Sequence, residues 1–395
     1  MKVLGEKTYL LPLALVIGAV VDALEALFSH GLNFMISLNQ AYYLPLVLAL
    51  PLVGLVIVWI YQRYSPESLA GMSLIFNAVH QRDDNYRIPP LLIPIVIVAT
   101  WLTHLVGGSA GREGVAVQIG ATMGQQFDRW FKDKDQAYSV IFGIAAGFAG
   151  LFGTPLAATF FALELLTSGR LLLSVLLPTM LAAYTSLGVS SALKLHHAHF
   201  TVDLPQLSHA PVWQLIVMAL IFSLAGQLFA HGLEKGKAVA SHLMKNPYLR
   251  VALGGIILAA LLLLTGGRYS GLGEPIIEAI FNGGQALTWD WLWKLALTVL
   301  TLSIGFQGGE VTPMFTIGTC LGYVLAPWLG LPNLTVAALG YVTVFAVATN
   351  TVIAPMLITM EIFGPEIMPW ALPVILLAYS LNGNFSVYGQ QKIME

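Results

Sequence analysis

Long apolar stretches alternate along this chain with short breaks that are polar or rich in glycine and proline. The apolar runs lie near 8–29, 43–61, 91–106, 137–165, 171–193, 211–231, 250–265, 289–306, 314–330 and 333–358. A helix crossing the hydrocarbon core of a bilayer takes about 20 apolar residues. Some runs fall short of that, and others are cut internally by Gly or Pro. Irregular backbone at such depth is tolerated only where protein buries it or where it lines a polar cavity. The pattern predicts an all-α polytopic membrane protein whose helices are broken within the membrane.

Composition agrees. Hydrophobic residues make up 57% of the 395 positions and charged ones 10%, against roughly 25% charged in soluble domains. The first run follows Lys2 and Lys7 as a signal peptide would, yet it carries Asp22 and Glu25 and has no clear small-residue cleavage site. That predicts a retained helix. Cys320 is the only cysteine, which leaves no intramolecular disulfide and no cysteine-based metal site. Basic residues gather at the N-terminus, at Arg129, Lys132 and Lys134 (diluted by Asp128, Asp133 and Asp135), and at Lys235, Lys237, Lys245 and Arg250. By the positive-inside rule the N-terminus and the 232–250 segment face the cytoplasm. The net charge of −2 does not discriminate between partners, and no nucleic-acid partner is expected.

The 232–250 run is the most polar in the middle of the chain and divides it into 1–231, a cytoplasmic linker at 232–250, and 251–395. Landmarks recur in order on either side. Gly111-x7-Ile119-Gly120-x3-Gly124 returns as Gly309-x7-Ile317-Gly318-x3-Gly322, an offset of 198 (309 − 111). Pro155, an apolar run and Glu164 return as Pro355 and Glu361, an offset of 200 (355 − 155). Gly71 returns as Gly273, an offset of 202 (273 − 71). Repeats with short, interrupted segments in corresponding places point to a transporter with its site where the repeats meet. An odd number of spans per half inverts one repeat relative to the other.

The chemistry gathers at the breaks. A helix that starts inside the membrane presents unpaired N–H groups and a partial positive end, which together bind anions. Met72, Glu113 and Val311-Thr312 each stand at the start of an apolar helical run, so the three segments are expected to converge on one anion. Gly107, Gly108, Gly111 and Gly114 let the chain turn and let an ion reach the backbone. The plainer alternative is that these glycines only pack helices. Charged residues at membrane depth mark ion or proton paths, and Glu113 suits a proton carrier because desolvation favours the neutral form of a carboxyl group. Its carboxylate can also fill the anion's own site until a proton releases it. The alternatives are a salt bridge to Arg112 for Glu113, and a dipole-stabilised helix start for Glu310.

These residues resemble a known family. Gly111-Arg112-Glu113-Gly114 resembles the G-[KR]-E-G-P element of CLC anion channels and transporters, and Gly308-Gly309-Glu310-Val311-Thr312-Pro313 resembles their G-G-x-F-x-P element. Pro155-Leu156 through Ala162-Leu163-Glu164 resembles the family's proline-to-glutamate helix, and Tyr388 falls where a late tyrosine faces the anion. The departures are Val115 for the motif proline, Gly71-Met72-Ser73-Leu74 for the serine-bearing loop, Val311 for phenylalanine, and Glu310 at a normally apolar position. This set resembles the bacterial fluoride/proton antiporter branch.

The resemblance implies two inverted repeats and fluoride export in exchange for protons, without enzymatic activity, cofactor or metal. It makes Glu113 the protonatable gate, makes Glu310 the residue coupling proton to fluoride, and gives Met72, Gly111, Arg112, Gly114, Val311, Thr312 and Tyr388 to the anion. It further implies a homodimer with one pathway per subunit in the bacterial inner membrane. Tyr388 leaves no room for a cytoplasmic regulatory domain before residue 395. A chloride/proton exchanger or a passive anion channel is the alternative.

Two other motifs compete. Gly107-Gly108-Ser109-Ala110-Gly111 matches the G-x-S-x-G nucleophile pattern, which needs a strand-to-helix turn and a histidine. His104 is near, but the surroundings are apolar and show no strand. His196, His197 and His199 could ligate a metal, yet no carboxylate or cysteine set accompanies them, and they read as a solvated connector before the Pro205 loop.

Overall fold

The computed structural model describes residues 9–80, 87–128, 138–168, 171–202 and 212–393. Its helices fall into two matching series. The first runs α1 (Leu10–Ala41), α2 (Tyr43–Leu48), α3 (Leu50–Tyr64), α4 (Met72–His80), α5 (Leu92–Leu105), α6 (Glu113–Phe127), α7 (Tyr138–Phe152), α8 (Pro155–Glu164) and α9 (Leu176–Ala192). The second runs α10 (Val212–Leu243), α11 (Pro247–Leu264), α12 (Glu274–Phe281), α13 (Asp290–Ile304), α14 (Val311–Leu329), α15 (Asn333–Thr349), α16 (Ile353–Phe363) and α17 (Met368–Ser380). Only Tyr42 and Ala49 interrupt the course from α1 to α3, and the α2–α3 pair corresponds to α11. Beyond the helices, β1 (Thr167–Ser168) pairs in parallel with β2 (Lys392–Ile393).

The break between the series lies between Ala192 and Val212, not at 232–250. Both series open with a helix of 32 residues, and residues 232–243 are the last turns of α10. That stretch is polar because the helix continues beyond its apolar part, not because the chain leaves the helix. Only 244–246 interrupt it, after which the Asn246 side chain accepts the Tyr248 N–H at 2.9 Å and Pro247 opens α11. Such a start satisfies an end donor and uses proline where its missing N–H costs nothing. The basic residues at Lys2, Lys7, Arg129, Lys132 and Lys134, and Pro205, lie outside the described residues.

The expected breaks are present. The 137–165 run divides into α7 and α8 at Gly153 (φ 71°), and the 333–358 run divides into α15 and α16 at Asn350 (φ 53°). Asn is the residue other than glycine that most readily takes this left-handed turn. Four helical stretches, Leu10–Ala41, Leu173–Ala192, Val212–Leu243 and Pro247–Leu264, are long and apolar enough to cross a membrane.

Glycine sets the tightest crossings, and sets them twice. A β-carbon on Gly143 would run into the Gly120 carbonyl where α7 crosses α6, and one on Gly340 would run into the Gly318 carbonyl where α15 crosses α14. The repeats also reach into each other. The Glu164 carboxylate, ending α8, accepts the Val352 N–H at 2.6 Å and the Ile353 and Ala354 N–H groups at 3.1 and 3.2 Å, at the start of α16. Glu361 on α16 returns the contact, accepting the Leu156 and Ala157 N–H groups at the start of α8 at 3.0 and 2.9 Å. Gly111 and Gly309 form an antiparallel bridge, so α6 and α14 begin beside each other around a local two-fold. The halves are thus inverted repeats interlocked at their broken helices.

Substituting Gly143 by Leu is expected to cost at least about 1–3 kcal/mol, the usual penalty of overpacking, and to abolish a monodisperse peak on size-exclusion chromatography. Gly188→Ala, where nothing lies within 4 Å of the new β-carbon, is expected to elute as wild type.

Candidate functional site

The site forms where α6 and α14 begin. Gly309 donates its N–H to the Gly111 carbonyl at 2.7 Å, and Gly111 donates to Gly309 in return. Pinned there, the two helix starts lie close enough for one side chain to pass between them. Glu113, the first residue of α6, extends its carboxylate to the beginning of α14. Its Oε2 accepts the Thr312 N–H at 2.9 Å and the Arg112 N–H at 3.1 Å, and its Oε1 accepts the Thr312 hydroxyl. Glu113 is 1% exposed. A carboxylate fed by backbone and hydroxyl donors at a helix N-terminus stands where a free anion would stand.

Arg112 does not hold this carboxylate closely. Its Nη2 donates to Glu274 Oε1 at 2.8 Å, while its Nε is 3.9 Å from Glu113 Oε1. Glu274 opens α12, so the guanidinium is paired across the repeats and Glu113 is left to the Thr312 donors and the Arg112 backbone N–H.

Cavities lie on both sides of this contact. A small one of about 50 Å³ is bordered by Arg112, Glu274, Glu278, His196, Thr312 and Tyr341, among others. A wider one of about 530 Å³ holds Met72, Phe76, Gln118, Lys237, Glu310 and Tyr388 in its wall. Tyr388 and Glu310 stand together in that wall, and the Tyr388 ring packs on Phe76 with centroids 5.6 Å apart. Glu310 bends toward the start of α6, where a β-carbon on Gly114 would sit 3.1 Å from its Oε2. The structure therefore gathers Glu113 with Thr312, and Met72 with Glu310 and Tyr388. The two groups are joined through α14, whose first turn follows Glu310.

Other expectations are redirected. The Gly111 N–H is taken by the Gly309 carbonyl, so this glycine fixes the break and offers no donor to an anion. Val311 is 1% exposed and packs in the core. Ser109 Oγ lies 3.1 Å from Thr298 Oγ1 and accepts from Lys294 Nζ at 2.9 Å. The His104 ring nitrogens lie 2.8 and 3.1 Å from the Thr100 and Ala110 carbonyls, so this serine and histidine are not paired as nucleophile and base. The three histidines after α9 lie in a connector without regular structure, where His196 and His199 are exposed as expected and only His197 is half-buried. His196 borders the small cavity, His197 Nε2 is 2.9 Å from both Ser190 Oγ and the Gly150 carbonyl, and His199 Nδ1 is 3.2 Å from the Glu361 carbonyl.

Glu274, Phe76, Gln118 and Lys237 were not singled out from sequence as site residues. Glu274 carried a signal, since it follows Gly273, the repeat mate of Gly71. Lys237 was legible only as part of a charged run.

Replacing Thr312 by Val removes one hydroxyl donor from a buried carboxylate and keeps the backbone N–H. The expected loss is about 1.5–3 kcal/mol, the range for hydrogen bonds to charged groups, read as a lower unfolding midpoint in detergent.

Comparison with known proteins places this geometry among ion-transport proteins. Residues 53–383 match the family described as "Voltage gated chloride channel". The chain is 35% identical over 394 residues to a "Chloride/fluoride channel protein" of Pseudomonas syringae pv. tomato, spanning 97% of this chain and 86% of that one. It is 44% identical to the crystal structure of a CLC-type fluoride/proton antiporter, with a TM-score of 0.95 and 98% of each chain covered. A slow cyanobacterial Cl−/H+ antiporter, 21% identical over 96% of each chain, shares the fold with a TM-score of 0.79.

Proposed function

Starting from the fact that the chain belongs to the voltage-gated chloride channel (CLC) family, we propose that it is a secondary active transporter exporting fluoride in exchange for protons. Glu113 is the protonatable gate. The observation that carries this reading is the Glu113 carboxylate lying on the Thr312 N–H and hydroxyl between two cavities. The similarity to a solved fluoride/proton antiporter supports it.

The chemistry follows from competition for donors. While ionised, Glu113 accepts every hydrogen bond that the start of α14 offers it, and no anion can take its place. A proton on the carboxyl makes it a poorer acceptor, and the Thr312 donors become free. Fluoride arriving through the wide cavity, past Met72, Tyr388 and Glu310, then takes them. When fluoride leaves, Glu113 must lose its proton to return. One carboxyl thus competes with the anion in one protonation state and carries a proton in the other.

Selectivity follows from the same donors. Fluoride is small and gives up its hydration only for strong hydrogen bonds. Thr312, Tyr388 and a protonated Glu310 supply O–H donors, and bonds from O–H to an anion are short and strong. Met72 supplies none, so the larger chloride lacks a hydroxyl there. Arg112 and Gly114 shape the anion's passage through the guanidinium charge and the close approach to backbone. The working unit is a homodimer with one pathway per subunit, in the bacterial inner membrane with the N-terminus in the cytoplasm.

In proteoliposomes loaded with fluoride and clamped in voltage by a potassium ionophore, fluoride efflux is expected to draw protons inward. Glu113→Gln should lower proton uptake at least roughly a hundredfold, the scale of a lost proton-transfer group. Efflux without proton uptake in the wild type, or uptake unaffected by the substitution, overturns the antiport. Met72→Ser is expected to gain chloride transport, and unchanged selectivity counts against the role given to Met72.

A further inference from the structure

Asp22 and Glu25 on α1 are both 0% exposed, and the gate described above uses neither. They lie three residues apart, on one face of the helix with Ser29. Asp22 Oδ2, both Glu25 oxygens and the Ser29 hydroxyl have no hydrogen-bond partner among the described residues. An ionised carboxylate buried without donors is far costlier than a neutral acid, and apolar residues would pack the same space at lower cost. Carboxyl groups kept in such places inside a membrane serve proton relays.

The pair is reached by an ordered set of polar groups. Ser186 Oγ on α9 donates to Asp22 Oδ1 at 3.0 Å. One turn further along α9, Ser190 Oγ lies 2.9 Å from His197 Nε2. His197 sits between His196 and Ala198, which both border the small cavity. At the other end, Glu25 lies beside the first turn of α6. A β-carbon on Gly147 would be 3.7 Å from Glu25 Oε1 and 2.5 Å from the Ala116 carbonyl. Glu25 and Arg112 are close enough for their charges to act on each other.

Glycines of α7 and the turn after it make the room. A β-carbon on Gly150 would stand 2.7 Å from Ser186 Oγ and 3.0 Å from Asp22 Cγ, and one on Gly153 would stand 2.5 Å from His197 Cγ. Side chains would block the set at each of these positions. The ionisable groups facing the pair are few. On α1 they are the two carboxyls themselves, and Arg112 and Glu113 stand at the start of α6. α7 contributes no charged side chain and α9 contributes hydroxyls, while His104 of α5 is held by the Thr100 and Ala110 carbonyls.

We infer that His197, Ser190, Ser186, Asp22 and Glu25 form a proton route, separate from the anion path, that joins the rim of the small cavity to Glu113. This rests on the antiport reading above. A proton taken up at the His197 imidazole passes across the two serine hydroxyls, each donating its own hydrogen as it accepts another. It reaches Asp22, then Glu25, and ends on the Glu113 carboxylate, with no net change in the groups between. Neighbours one helical turn apart have β-carbons about 5–6 Å from each other, a gap that one water with two or more polar partners can bridge.

Glu25→Gln tests the route, being equal in size and unable to release a proton. In reconstituted protein, fluoride-driven proton uptake and the coupled fluoride efflux are expected to fall at least roughly tenfold, and their dependence on outside pH to flatten. Glu25→Asp should recover part of the rate. Infrared spectroscopy should show a protonated carboxyl stretch in the wild type at neutral pH that Glu25→Gln removes. Wild-type proton uptake with an unaltered pH profile in Glu25→Gln overturns the inference, as does an unchanged infrared band. Should Glu25→Gln not reconstitute, Asp22→Asn and Ser186→Ala carry the same expectation, and wild-type rates in both overturn it. A wild type that takes up no protons overturns the antiport itself, an outcome distinct from a coupled wild type that ignores Glu25.

Discussion

Two helix beginnings brought together inside a membrane create a demand that only a negative charge meets well. Each presents unpaired N–H groups and the positive end of its dipole, with no bulk water to satisfy them. Here that demand fixes much of the architecture. Gly111 and Gly309 lock the starts of α6 and α14 together, and the Glu113 carboxylate fills the space that results. The cavities on either side, the pairing of Arg112 with Glu274 and the placing of Tyr388 near Glu310 are all arranged around it.

The same interaction occurs elsewhere in the chain with a different outcome. Glu164 and Glu361 each cap the other repeat's broken helix through backbone N–H groups. Chemically these contacts resemble that of Glu113 with α14. What differs is the surroundings. Thr312, the donor to Glu113, borders the small cavity, and Glu310, the residue before α14, borders the wide one. A carboxylate with an anion route beside it can be replaced, whereas Glu164, buried between packed helices, and half-buried Glu361 serve as clasps. The fold thus uses reciprocal capping to hold the halves together at α8 and α16, and keeps its exchangeable version at α6 and α14.

The sequence showed the repeats because close backbone approach is written in glycine. Gly120 and Gly318 recur at a fixed offset since each lets a neighbouring helix pass at its carbonyl. Glu113 was legible because a carboxylate at such depth is costly and persists only where donors hold it or an ion path uses it. The boundary between the halves was misplaced because polarity was taken for a loop. α10 continues through Glu234, Lys235 and Lys237, and hydropathy does not separate a helix end in water from a connector. Glu274 escaped notice because its role depends on where Arg112 points, which is a matter of tertiary geometry. The placing of His197 escaped for the same reason, as nothing in the spacing of the three histidines reveals that Gly150 and Gly153 bring α7 against this one.

The pairing of Arg112 decides how Glu113 can behave. A guanidinium bonded to Glu113 at 2.8 Å would hold the carboxylate with a charge that a proton does not remove from the site. At 3.9 Å, with its short bond made to Glu274, Arg112 adds a positive field without a rigid hold. Glu113 is then retained mainly by the N–H of Arg112 and by the two donors of Thr312. A single hydrogen bond to a charged group contributes about 1.5–3 kcal/mol, and one between neutral groups about 0.5–1.5 kcal/mol. Protonation therefore weakens the hold on the side chain, and an arriving anion can compensate the donors it leaves. The adjacent arginine is compatible with a moving gate because another carboxylate, from the opposite repeat, has already claimed it.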